Sequence, residues 1–137
     1  MDTQDSAHVD LTWKILGSAI EVHRVLGPGL LESTYRTCLM HQLRADGLQA
    51  RTEVPIPVAY KGIRLDTSYR ADIIVEETAI VELKAVEQIS QVHCLQTLTY
   101  LRLARLPVGL LINFNVPRLK QGVRRFINSG TLTETSP

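Results

Sequence analysis

The sequence predicts a layered α/β domain, a mixed four-stranded sheet with flanking helices in the order ααβββαβα. Three observations lead there. Apolar residues recur every three or four positions near both ends of the chain, the period of a buried helix face. From Arg51 to Val86 the pattern shortens to alternation or to short apolar runs, as in strands. Pro107 then divides a helical stretch from the apolar run Val108 to Phe114. A strand–helix–strand crossover of that kind requires a parallel pair, so the sheet is mixed.

The elements follow in order. Residues 1–9 are polar and acidic, unlike a signal peptide, and are expected to be a disordered leader. Asp10 is a plausible N-cap, and Leu11, Ile15, Ala19, Val22 and Leu26 form one stripe of the first helix. Gly27-Pro28-Gly29 ends it in a tight corner. A second helix runs to Asp46 on the stripe Leu31, Tyr35, Cys38, Leu39 and Leu43, and Gly47 ends it. Val54, Ile56 and Val58 alternate, but Pro55 and Pro57 cannot donate to a ladder, so this strand belongs at an edge.

Lys61-Gly62 reads as a turn leading to a strand at Tyr69–Val75. Its partner, Ala79–Ala85, is apolar on both faces except at Glu82 and Lys84 and should be central. A third helix over 88–105 has the inner stripe Ile89, Val92, Leu95, Thr99 and Leu103. A buried strand over 108–114 and a last helix over 115–128 follow, the latter with Pro117 in its first turn and Leu119, Val123, Phe126 and Ile127 inward. The domain thus covers 10–128, and the Ser/Thr-rich residues 129–137 are expected to be a flexible tail.

Bulk properties narrow the function little. The chain has 137 residues, with 15 Lys and Arg against 14 Asp and Glu, so net charge neither demands nor excludes nucleic acid. No apolar run approaches the roughly 20 residues of a membrane span. Cys38 and Cys94 read as reduced core thiols of a cytoplasmic protein.

The chemistry concentrates in the paired strands. A hairpin symmetric about Glu77 sets Asp72 directly opposite Glu82, with Lys84 on the same face as Glu82 and Arg70 on that of Asp72. Two opposed carboxylates repel unless a cation lies between them, and a divalent metal would resolve the conflict. Glu32 lies within about 60° of Tyr35, Leu39 and Leu43 on a helical wheel, on the inward side. His93, Gln96 and Tyr100 share one side of the third helix, beside its stripe. Arg118, Lys120, Arg124 and Arg125 offer a basic face on the last helix, with Arg64 and Arg70 nearer the acids.

Taken together, these segments resemble the PD-(D/E)XK nuclease superfamily and, within it, the small GxxExxY family. The resemblance is carried by Gly29-Leu30-Leu31-Glu32-Ser33-Thr34-Tyr35, by Tyr69-Arg70-Ala71-Asp72 with Ile80-Val81-Glu82-Leu83-Lys84-Ala85, and by Gln96 to Leu101 and Gly109 to Phe114. It departs in having Ala71 where proline often precedes the aspartate. The resemblance implies a restriction-endonuclease-like core and a nuclease acting on DNA, with RNA also open. It implies Mg²⁺ or Mn²⁺ held by Asp72, Glu82, the Leu83 carbonyl and Glu32, with Lys84 and Gln96 at the reaction. Tyr35, Arg70, His93 and Tyr100 would serve substrate or the surrounding shell. A homodimer is compatible with the chain's size. The alternatives are a nucleic-acid or protein binding module with little turnover, and a structural salt-bridge network among the acids, Arg70 and Lys84.

Overall fold

A computed structural model of the protein describes residues 3–66 and 69–128. Helix α1 (Thr3–Leu26) begins well before Asp10, so residues 3–9 form its opening turns, where a disordered leader was expected. The expected tail, 129–137, lies outside the described residues. Ile15, Ala19 and Val22 of α1 are buried as their spacing requires. At the corner after α1, Gly27 and Gly29 both have positive φ, 68° and 100°, the region glycine enters without a Cβ clash. Helix α2 (Glu32–Ala45) turns back along α1 and buries Tyr35, Leu39, Met40 and Leu43. Leu31, expected in that stripe, is exposed just ahead of the helix.

Five strands form the main sheet: β1 (Ala50–Pro55), β4 (Arg70–Val75), β5 (Ala79–Lys84), β6 (Val108–Asn113) and β7 (Val123–Ile127), in spatial order β1-β4-β5-β6-β7. Proline-bearing β1 is an edge and β5 is central, as expected. The β5–β6 pair is parallel, joined through helix α3 (Gln91–Ala104), and the other pairs are antiparallel. Strands β2 (Val58–Tyr60) and β3 (Ile63–Leu65) form a separate hairpin between β1 and β4. The fold is therefore α/β with a mixed five-stranded sheet and flanking helices, consistent with a restriction-endonuclease-like core.

The fifth strand replaces the expected last helix. Residues Leu119–Gly122 make one 3₁₀ turn, and Val123–Ile127 pairs with β6. Strand β6 would otherwise present an unpaired edge, and ladder bonds along it outweigh one isolated helix. Gly122 makes the return possible, because a Cβ there would collide with the Asn113 carbonyl oxygen.

Two cores flank the sheet. One joins α1 and α2 to Ile73, Val75, Val81, Leu83, Leu110 and Ile112. The other joins α3 to Ile74, Ile80, Val54 and Ala71. Helix α3 is rotated from the expected phase: Thr97, Tyr100 and Leu101 are buried, while Val92 and Leu95 are exposed. Gly109 of β6 accounts for this, since even a Cβ there would touch Leu101 and Thr97 at 3.4 and 3.5 Å. Among the described residues no helix is long and apolar enough to cross a membrane.

Candidate functional site

The hairpin register agrees with the symmetry about Glu77. Ile73 pairs with Val81, Ile74 with Ile80 and Val75 with Ala79. The next pair outward is Asp72 and Glu82, and there side chains take over from the ladder. The Asp72 backbone N–H donates to Glu82 Oε1 at 2.9 Å. The Leu83 N–H donates to Asp72 Oδ2 at 2.8 Å. Each carboxylate thus holds the other residue's strand, and the two acids lock together where β4 and β5 part.

Strand β4 also changes face at this point. Ile73 packs on the α1–α2 side, but Ala71 packs on the α3 side. A regular strand would keep two residues of equal parity on one face. Opposite the irregularity, β1 pairs Thr52 with Ile73 and Val54 with Ala71, leaving Glu53 between them with φ of 50°. Backbone outside the common regions concentrates where function needs a special geometry.

Burial sets the electrostatics. Glu82 is only 4% exposed. Its carboxyl is pushed up to about 8, first by burial and then by the negative charge of Asp72, against the opposing pull of the Asp72 N–H and Lys84. Lys84 closes β5 half-buried, and its carbonyl accepts from the Phe114 N–H at 2.9 Å. Asn113, wholly buried, accepts from the Val86 N–H and donates to the Val86 carbonyl at 3.0 and 2.8 Å, clamping the chain just after Lys84.

From α3, the Gln96 amide donates to the Tyr100 hydroxyl at 3.2 Å. The Tyr100 hydroxyl is raised in pKa by burial and then by the Glu82 charge. The Tyr69 ring lies 6.1 Å from that of Tyr100.

Other expected participants have different work. Tyr35 is wholly buried and stacks on Phe114 with ring centroids 4.5 Å apart. Its hydroxyl donates to the Gly27 carbonyl at 2.5 Å and accepts from the Leu30 N–H at 3.1 Å, tying the glycine corner to the core. Its observed contacts are those of a structural latch. His93 forms the capping box of α3: its Nδ1 accepts from the Ser90 N–H and its own N–H donates to Ser90 Oγ. Arg70 is exposed at the start of β4. Among the described residues no three His, Cys, Asp or Glu side chains cluster for metal ligation. Glu32 opens α2, in its first turn. The expected basic helix face does not exist; Arg124 and Arg125 lie on edge strand β7, where Arg125 donates to Thr12 at 3.1 Å.

Arg36 and Glu53 were not anticipated. Arg36 Nη1 lies 3.6 Å from Asp72 Oδ1, and its Nη2 lies 3.1 Å from Glu53 Oε1. The cation nearest Asp72 is thus Arg36, not Arg70 or Lys84. The wheel that turned Glu32 inward contained this signal, because Arg36 follows Glu32 by four residues, about 40° further round.

The donor set suits a hard divalent cation. Asp72 and Glu82 offer oxygens alone, and Mg²⁺ commonly takes one or two carboxylates while keeping several waters. A cation between them would also relieve the repulsion that raises Glu82.

The model of the PD-(D/E)XK nuclease superfamily matches residues 9–126 of the chain. No curated protein and no solved structure matches it.

Proposed function

The chain belongs to the PD-(D/E)XK nuclease superfamily, and on that premise we propose that it is a divalent-metal-dependent nuclease hydrolysing phosphodiester bonds of DNA, of the GxxExxY type. The observation that carries this reading is the Asp72–Glu82 pair, locked by two backbone-to-carboxylate hydrogen bonds beside Lys84. Asp72 and Glu82 would hold Mg²⁺ or Mn²⁺, with the Leu83 carbonyl as a further oxygen and Glu32 reaching the site through water. The cation, when bound, supplies Lewis acidity toward a phosphoryl oxygen.

The chain's own residues do the rest. Lys84 holds the attacking water in line or offsets charge growing on the phosphate. Gln96 fixes the Tyr100 hydroxyl, and together they orient water or a substrate oxygen. Arg36 balances Asp72 between turnovers.

Purified protein given single- and double-stranded DNA with Mg²⁺ or Mn²⁺ should cleave it. Asp72→Ala with Lys84→Ala should lower the rate roughly a hundredfold or more. No cleavage above that variant on any substrate overturns the proposal. The second reading, a nucleic-acid or protein binding module with little turnover, is motivated by the near-neutral charge, 15 Lys and Arg against 14 Asp and Glu. Binding unchanged by EDTA and by Lys84→Ala, with no cleavage, would select it.

A further inference from the structure

We propose that the β2–β3 hairpin is an arm that receives an unpaired nucleic-acid strand, bases on its apolar face and phosphates on its cations. The inference rests on the nuclease reading above and names the substrate class of that site. In an antiparallel pair, opposed residues share a face. The register Val58↔Leu65 and Tyr60↔Ile63 therefore lines up four apolar side chains on one side, leaving Ala59 and Arg64 on the other. Tyr60, Ile63 and Leu65 are 59%, 58% and 43% exposed. Val58 is partly buried, and every residue from 59 to 66 is exposed, so the outer part of the arm stands clear of the core.

The turn supplies charge beside the aromatic ring. Lys61 and Gly62 both have positive φ, 46° and 82°, the two-residue turn that matches strand twist. It brings Lys61 Nζ to 5.4 Å from the Tyr60 ring centroid. Lys61, Arg64 and Arg70 stand against the single acid Asp66 in this segment. The arm leaves β1 after Pro55 and returns at Arg70, two residues before Asp72. Tyr69, on the return, lies against Tyr100 at the site. Along the chain, Tyr60, Lys61, Tyr69 and Arg70 lead toward Asp72.

This chemistry selects an unpaired strand. Bases inside a duplex already stack on one another, whereas a splayed base can lie on a tyrosine or an aliphatic side chain. A second copy of the chain fits less well, because a four-residue face is small beside the roughly 800 Å² per partner of a stable protein interface.

The test is fluorescence anisotropy of a short labelled single strand and its duplex, in EDTA so that binding is read without turnover. Wild type should prefer the single strand. Tyr60→Ser with Ile63→Ser should weaken single-strand binding roughly fivefold or more, the loss of one base stack, and leave duplex binding unchanged. Lys61→Ser should reduce the salt dependence by roughly 0.7, one lost phosphate contact. Trp13→Ser, at an exposed site on α1, should change neither. Wild-type single-strand affinity in Tyr60→Ser with Ile63→Ser overturns the proposal, as does a changed sedimentation of that variant without loss of oligonucleotide binding. Arm-dependent binding with no cleavage would remove the nuclease and keep the arm; cleavage with arm-independent binding would remove only the arm.

Discussion

At the scale of single residues, Glu82 governs how the site responds to pH. Its carboxyl is raised from 4.5 to about 8, by burial and by Asp72. A carboxyl raised in the folded state favours folding most below its unfolded pKa, and that contribution is lost as pH climbs through the folded value. The metal-free protein should therefore lose melting temperature between about pH 4.5 and pH 8, and Glu82→Gln should flatten that part of the profile. Because the proton must leave for a cation to bind, Mn²⁺ affinity measured by calorimetry should rise across the same interval. Arg36 competes for the same charge on Asp72. Arg36→Gln should tighten Mn²⁺ severalfold, the equivalent of about 1 kcal/mol for a partly exposed pair. Unchanged affinity would mean that Arg36 serves only Glu53.

Among elements, the segment from Gly27 to Tyr35 shows how far one motif can be read. The family resemblance makes both its glutamate and its tyrosine site residues, and both lie on the inward side of α2. Inward, however, covers two destinations. Tyr35 enters the core against Phe114, whose N–H holds the Lys84 carbonyl, so its influence on the site runs through the backbone. Tyr35→Phe keeps the stack but removes the hydroxyl that joins Gly27 to Leu30. It should cost about 1–2 kcal/mol in urea denaturation. A loss well under that would show that water replaces the hydroxyl at the corner. The last element differs from its expected helix for a related reason. Leu119, Val123 and Phe126 repeat at helical spacing, yet Val123 packs on one core and Phe126 on the other. A residue on each side of the sheet is the signature of a strand, and nothing local reveals that the sheet passes between them.

For the molecule as a whole, the sheet order places the chemistry at the boundary between rigid and open structure. Strands β5 and β6 are buried along almost their full length, while the β2–β3 arm is exposed except at Val58 and β1 is mostly exposed. Hydrogen exchange should follow that gradient: amides of Val81, Leu110 and Ile112 slowest, close to global unfolding, and those of the arm fastest. Protection of the arm comparable to β5 would contradict the packing described here.

The sequence alone determined the Asp72–Glu82 alignment, the central place of β5 and the edge place of β1. Each depends on neighbours along the chain: a short turn sets the register, an apolar run demands burial on both faces, and prolines forbid a ladder. Only the tertiary structure decided that Arg36 is the cation on Asp72, that residues after Gly122 complete the sheet, and that Tyr60, Ile63 and Leu65 of the arm stay exposed. These depend on which distant surface each segment meets, and side-chain periodicity records that a face is buried, not what buries it.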